Sequence, residues 1–171
     1  TMSGCPVGCK FCGTGNKFIR NLSAAEIVGQ ITTILRDKNI EDVDICGKRF
    51  QIMFMSMGEP LLNWDATEQA VEHLHEWFPN AELLLSTIAP NEPEVWKRVI
   101  DLSKRIDKVG LQFSIHKSTD SDRTRLIPYE NKLCLRELRD IGTIWWKETG
   151  RHPYLNYCID GTNNRLSDST N

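Results

Sequence analysis

Residues 82–115, ELLLSTIAPNEPEVWKRVIDLSKRIDKVGLQFSI, carry a strand, a helix and a second strand in one unbroken run. Glu82-Leu83-Leu84-Leu85-Ser86 is short and apolar, as a buried strand requires. Glu92-Pro93 opens a helix, because proline has no amide proton to lose at a first helical position. Trp96, Val99, Ser103 and Ile106 give that helix its inner stripe, and Val109 to Ile115 reads as the next strand. Strand, helix and strand in this order predict a right-handed βαβ unit with parallel strands. The pattern extends both ways. Upstream, Ser23-Ala24-Ala25-Glu26 is a capping box for a helix over 24–37 with Ile27, Ile31, Ile34 and Leu35 at helical spacing. Charged residues and Gly47 separate it from Phe50 to Met55, an apolar run that suits a buried strand. Asn63 then caps a helix whose inner face is Ala66, Ala70, Leu74 and Trp77, and Pro79-Asn80 ends it. Downstream, Leu135, Leu138, Ile141 and Trp145 mark a helix stopped by Gly150, followed by a strand over 154–159. The fold class is α/β, with a parallel sheet.

The chain has 171 residues, 40% of them hydrophobic and 26% charged, the balance of one globular domain with a core. A formal net charge of -2 gives no global electrostatic footprint for nucleic acid, which leaves a local basic surface open. Neither a membrane-length apolar run nor a signal-peptide succession is present, so a cytoplasmic protein with no membrane partner is expected. There is no internal repeat or low-complexity segment. Thr1 is not an initiator methionine, and the stretch 161–171 is polar, so both ends are expected to be cut.

Cys5-Pro6-Val7-Gly8-Cys9-Lys10-Phe11-Cys12 is a C-x3-C-x2-C arrangement, with Pro6 and Gly8 letting the backbone wrap around a compact object. Cysteines this close cannot staple distant parts of a fold, so metal binding explains them better than disulfides. Thiolates are the usual ligands of iron–sulfur clusters. Three of them on a four-iron cluster leave one iron open to a small chelating ligand. The alternative is a structural zinc site that adds His116 or His152 to the three cysteines.

This spacing, with Phe11 before the third cysteine, resembles the signature of the radical SAM superfamily. The string 5–15, then Phe18-Ile19-Arg20-Asn21-Leu22 and Glu26 to Ile31, is similar to the branch that methylates an adenine carbon in ribosomal and transfer RNA. So are Met57-Gly58-Glu59-Pro60-Leu61-Leu62-Asn63, Leu85-Ser86-Thr87, and Ser114-Ile115-His116 leading to Asp122-Arg123 and Ile127-Pro128. These segments keep the family's order across about residues 3–131. The resemblance implies a partial (β/α)6 TIM-like barrel, of which residues 1–171 form the core domain with about four or five βα units. The first strand is almost absent and a C-terminal part lies outside. It implies a [4Fe-4S] cluster on Cys5, Cys9 and Cys12, with S-adenosylmethionine (S-adenosyl-L-methionine) cleaved reductively to a 5'-deoxyadenosyl radical. The reductant is a one-electron donor such as flavodoxin or ferredoxin, and the substrate an RNA. The cluster's potential is expected near the low end of the roughly -700 to +450 mV range open to such centres.

By the same resemblance Phe11, Gly58, Glu59, Ser86, Ser114, Ile115 and His116 line the S-adenosylmethionine pocket. Physically, Gly58 lets the backbone approach a ligand, Pro60 stiffens the turn, and the Glu59 carboxylate suits the substrate ammonium. The bland reading of Glu59 is a helix-start charge, and of the two serines, turn residues. Trp145 is expected in the core and Trp146 partly exposed. Arg123/Arg125 and Lys17/Arg20 are read as solvated charge, with phosphate contact as the other option. RNA-methylating relatives also have an accessory domain and a methyl-carrying cysteine near the C-terminus. Cys46, Cys134 and Cys158 do not match that cysteine, and are read as a loop thiol and two small core residues. The alternatives are a radical SAM enzyme acting on a peptide or small molecule, and an iron–sulfur or zinc binding module without turnover.

Overall fold

The computed structural model describes residues 1–15, 17–40 and 49–159. Cys46, Gly47 and the polar stretch 161–171 lie outside the described residues. In chain order the elements are β1 (Met2–Gly4), β2 (Phe18–Asn21), α1 (Ala24–Asp37), β3 (Gln51–Phe54), a 3-10 turn (Pro60–Asn63), α2 (Trp64–Trp77), β4 (Glu82–Thr87), α3 (Pro93–Arg105), β5 (Val109–Ser114), α4 (Asp120–Leu126), α5 (Leu135–Thr149) and β6 (Tyr154–Asn156).

Strands β3, β4, β5 and β6 pair in that order, all parallel. Order that never reverses along the sheet is the winding of a (β/α) barrel, whereas a doubly wound sheet turns back on itself. The four strands form an open arc of such a barrel. Register fixes the two faces. Ile52, Phe54, Leu83, Leu85, Val109, Leu111 and Phe113 join Val71, Leu74, Trp96, Val99, Leu102, Leu138 and Trp145 of the helices in one core. Each such fully buried side chain stabilises the fold by about 1.5–3 kcal/mol. The opposite face, the inside of the arc, carries Leu84, Ser86, Gly110, Gln112, Ser114 and Asn156.

The capping box at Ser23 and Glu26 is formed, and Gly150 ends α5 at φ 72°. Other expectations are corrected. The run 50–55 is buried on one side only: Ile52 and Phe54 enter the core, while Met53 and Met55 are exposed because β3 is an edge strand. Trp77, the last residue of α2, is 58% exposed, and Ile34, at the edge of a stripe whose next member Leu35 is buried, is 57% exposed. Asn63 does not cap α2; its amide instead donates to the Thr1 and Leu22 carbonyls, both at 2.8 Å, and holds the N-terminal hairpin on the sheet. Cys134 is half-buried at the start of α5 and Cys158 is exposed, so neither is a core residue. Trp145 is buried, and Trp146 is partly exposed and stacked on His152. Strand β1, ahead of Cys5, pairs antiparallel with β2 and not with the parallel sheet. Among the described residues no helix is long and apolar enough to cross a membrane.

Candidate functional site

The loop that bears the cysteines starts at the end of β1 and crosses the carboxyl ends of the parallel strands. Gly4 has φ 78°, and a Cβ there would meet the Lys17 carbonyl oxygen at 1.8 Å, so only glycine closes this hairpin. Cys5 N–H donates to the Lys17 carbonyl, Cys12 N–H to that of Cys9, and Lys10 N–H to that of Leu126. The last bond ties the loop to the end of α4. Beneath it Val7 and Cys9 pack on Ile88, after β4, and on Ile127, after α4.

The three thiols are all free. Burial pushes Cys5 up, against hydrogen bonds from the Val7 and Gly58 backbone. Burial, then the neighbouring Cys5 and Cys12, push Cys9 up to about 12. Cys12 is drawn down by the Thr14 hydroxyl at 3.1 Å and by the backbone of Thr14 and Gly15. Backbone groups therefore point at sulfur on both flanking cysteines, which is the environment that stabilises cluster thiolates, while Cys9 ionises at neutral pH only against a metal. Among the described residues, no group of three or more His, Cys, Asp or Glu converges as a single-ion site. In its chemistry, three thiols on one loop with hydrogen bonds aimed at two of them, the donor set fits a cluster held by thiolates. It does not assemble the zinc alternative either: His116 Nδ1 accepts from the Cys158 N–H at 3.0 Å, and His152 precedes β6, at the opposite end of the sheet from the cysteines, stacked on Trp146.

Glu59, expected to face a ligand, is 3% exposed and engaged within the chain. Its carboxylate accepts from Thr87 Oγ1 at 2.6 Å, Ile88 N at 2.9 Å and Leu61 N at 3.2 Å. Burial pushes it up to about 7 although those three bonds pull it down. The close approach at Gly58 is likewise internal: φ is 92°, and a Cβ would lie 2.6 Å from the Met2 Cβ.

Ser86 is buried inside the arc, where its Oγ accepts from Gln112 Nε2 at 3.3 Å. Ser114 lies on the same face, one residue pair beyond Gln112 and opposite Asn156. Ile115 packs its side chain against the core and brings its backbone to the strand end, with N–H on the Asn156 carbonyl. His116 is buried and has φ 60°. Burial, then the Arg123 charge, push its imidazole down to about 4, so it is neutral, with the proton on Nε2. Phe11 is 47% exposed and meets the His116 ring edge-on at 4.7 Å. Ala89, after β4, shares the left-handed backbone at φ 60°. Two strained residues at the ends of adjacent strands cost of order 1–3 kcal/mol each and mark this rim as a working surface.

Gln112 and Asn156 complete the rim and were missed in the sequence, while Thr87 and Arg123 stood there within longer segments without a role at the site. Strand alternation would have found Gln112, which sits between Gly110 and Ser114 on the polar side of β5. Arg123, read as solvated charge, is 1% exposed. Arg125 and Arg20 do lie at the surface, paired with Asp122 and Glu26.

The sequence model described as the radical SAM superfamily matches residues 1–142. A "Probable dual-specificity RNA methyltransferase RlmN" of Heliobacterium modesticaldum is 31% identical over 172 residues, covering 99% of this chain and 44% of that protein. The protein of the same name in Thermotoga neapolitana is 33% identical over 174 residues, covering 99% and 48%. A radical SAM methyltransferase from Sphaerobacter thermophilus superposes with a TM-score of 0.80 at 31% identity, over 98% of this chain and 48% of that one. Streptococcus suis SuiB bound to S-adenosylmethionine shares the fold at a TM-score of 0.60 and 11% identity, over 91% and 32% of the two chains. The chain spans about half the length of the curated relatives it matches.

Proposed function

The chain belongs to the radical SAM superfamily, and on that premise we propose that Cys5, Cys9 and Cys12 hold a [4Fe-4S] cluster beside bound S-adenosylmethionine, in a protein that methylates an adenine carbon of RNA. When bound and reduced by a one-electron donor, the cluster supplies the electron that breaks a sulfonium carbon–sulfur bond.

The chain's own residues bind, orient and shield. The amides of Val7, Gly58 and Gly15 and the Thr14 hydroxyl steady the flanking thiolates. Ser86, Gln112 and Ser114 offer hydroxyl and amide groups along the inside of the arc, suited to a carboxylate or ribose. Neutral His116 keeps its ring against Phe11, whose exposed face suits an adenine. Glu59 acts one step back: it fixes the turn at Leu61 and the segment Thr87–Ile88, so Gly58 and Glu59 contribute backbone, not carboxylate, to the pocket wall.

The observation that carries the reading is the set of three free thiols on one loop at the carboxyl ends of parallel strands, with hydrogen bonds aimed at Cys5 and Cys12. RNA as substrate is supported by the names of the 31% and 33% identical relatives. The test is anaerobic: the full-length protein is loaded with iron and sulfide, reduced with dithionite and given S-adenosylmethionine with ribosomal or transfer RNA. Release of 5'-deoxyadenosine together with methylated adenine supports the whole reading. Release without RNA methylation removes the substrate assignment and leaves the superfamily chemistry standing.

A further inference from the structure

Arg123 lies on α4 with 1% of its surface exposed. Its Nη1 donates to the Leu133 carbonyl at 2.7 Å and its Nη2 to the Ile88 carbonyl at 2.6 Å. Its Nε is buried with no hydrogen-bond partner among the described residues. Both bonded partners are neutral. A buried cation held only by carbonyls is several kcal/mol short of the hydration it gave up, unless an anion shares its surroundings. Among the described residues, the acidic groups near enough to offset it once ionised are Asp120, Cys134 and, most weakly, Cys9, which carries charge only as a metal-bound thiolate. Asp120 is exposed and its carboxylate already accepts from Leu135 N–H, and Cys134 is half-buried at a helix start. Cys9 alone is buried with it, and packs against Ile88, the residue whose carbonyl Arg123 holds.

Ile88 links two buried ionisable groups: its N–H goes to the Glu59 carboxyl group and its carbonyl to the Arg123 guanidinium. Glu59 works against ionisation of Cys5 and Cys9. Lys132 also feels Cys9, from a half-buried position where its Nζ donates to Thr124 Oγ1 and the Tyr129 carbonyl. Three thiolates leave a four-iron cluster with net negative charge, which reduction increases. A fixed positive charge in a dry site beside one ligand favours the reduced form.

Resting on the cluster assignment above, we propose that Arg123 is the counter-charge of the iron–sulfur centre: a positioning residue that raises the cluster's reduction potential through Cys9 and holds the Ile88 segment on which Cys9 rests. Charge and bonding separate in two variants. Arg123→Lys keeps the charge and loses the paired hydrogen bonds to the Leu133 and Ile88 carbonyls; Arg123→Gln loses the charge.

The test is a redox titration of the full-length protein, followed by electron paramagnetic resonance, after iron and sulfide content establish loading. A wild type that never loads removes the cluster assignment, and this inference with it. Given a loaded wild type, Arg123→Gln is expected to lower the reduced-to-oxidised ratio at fixed potential at least tenfold, a fall of about 59 mV in midpoint, with Arg123→Lys within threefold of wild type. A ratio within twofold of wild type in Arg123→Gln, or equal shifts in both variants, overturns the counter-charge role while leaving the cluster in place. If neither variant folds, Arg123→Met, which keeps the buried stem and removes the charge, takes the place of Arg123→Gln in the same titration: a tenfold fall in the reduced-to-oxidised ratio supports the proposal, and a ratio within twofold of wild type overturns it.

Discussion

Replacing Gly58 with alanine tests the frame of the site at one methyl group. Gly58 has φ 92°, where a side chain costs about 1–2 kcal/mol. The new Cβ would stand 2.6 Å from the Met2 Cβ, 2.7 Å from its Cγ and 2.9 Å from its backbone N. Rotating the Met2 side chain relieves only the second contact. The backbone is held by the pairing of β1 with β2 and by the bond from Met2 N–H to the Met57 carbonyl. Overpacking against an immovable neighbour adds about 1–3 kcal/mol, for a total of about 2–5 kcal/mol. At an m-value of about 2 kcal/mol/M, the urea midpoint falls by about 1–2.5 M. Gly58 also contributes a backbone hydrogen bond to Cys5, so iron incorporation falls with it. Gly13→Ala is the matched control, because nothing lies within 4 Å of its added Cβ; it stays within about 0.5 kcal/mol of wild type. Gly58→Ala and Gly13→Ala unfolding at the same urea concentration would refute the reasoning.

Further outcomes are expected from the same geometry. Folded His116 sits at about 4 against about 6.5 unfolded, so between those pH values the unfolded chain binds a proton that the folded one does not, and stability falls as pH drops. Relative to His116→Asn, a residue type that tolerates positive φ, wild type loses about 2 kcal/mol between pH 7 and 4.5 after allowing for solvent screening. The opposing titration of Glu59 cancels in this difference, which urea unfolding at the two pH values measures; no change in the difference removes the neutral His116. Trp145→Ala costs about 3–5 kcal/mol, because the ring is 1% exposed and also carries the Arg151 guanidinium 5.3 Å above it. Trp146→Ala, at a partly exposed ring, shifts stability by about 0.5 kcal/mol or less in the same denaturation assay. Cys9→Ser abolishes iron binding while Cys134→Ser retains it, read as iron per chain after anaerobic loading; equal iron in the two contradicts the ligand set.

The parallel sheet was legible because each βαβ step leaves a period in the chain. Leu83-Leu84-Leu85 is a short apolar run closed by Ser86, and Trp96, Val99 and Ser103 repeat at helical spacing before Val109 begins the next strand. What periodicity cannot report is how far a stripe runs before its element leaves the core. Trp77 continues its helical stripe in register yet ends in solvent, and periodicity does not report a stripe's width either: Ile34 is exposed beside buried Leu35. The cysteine loop was legible from spacing alone, since three thiols in eight residues have few other uses. The rim was less so. A carboxylate at a strand end reads the same whether it faces a ligand or, as Glu59 does, turns inward to Thr87 and Ile88, 28 and 29 residues away in sequence. Arg123 is the sharper case. It sits in a charged stretch, Asp120 to Arg125, that reads as surface, and its burial depends on carbonyls of Ile88 and Leu133 that no local pattern reveals.

The most direct measurement is the electron paramagnetic resonance spectrum of anaerobically loaded, dithionite-reduced protein before and after S-adenosylmethionine is added. The account predicts the signal of a reduced four-iron cluster that changes on addition, because one iron has no protein ligand, and that disappears in Cys5, Cys9 or Cys12 variants. A spectrum indifferent to S-adenosylmethionine, or a protein that takes up one zinc ion and no iron, would contradict it.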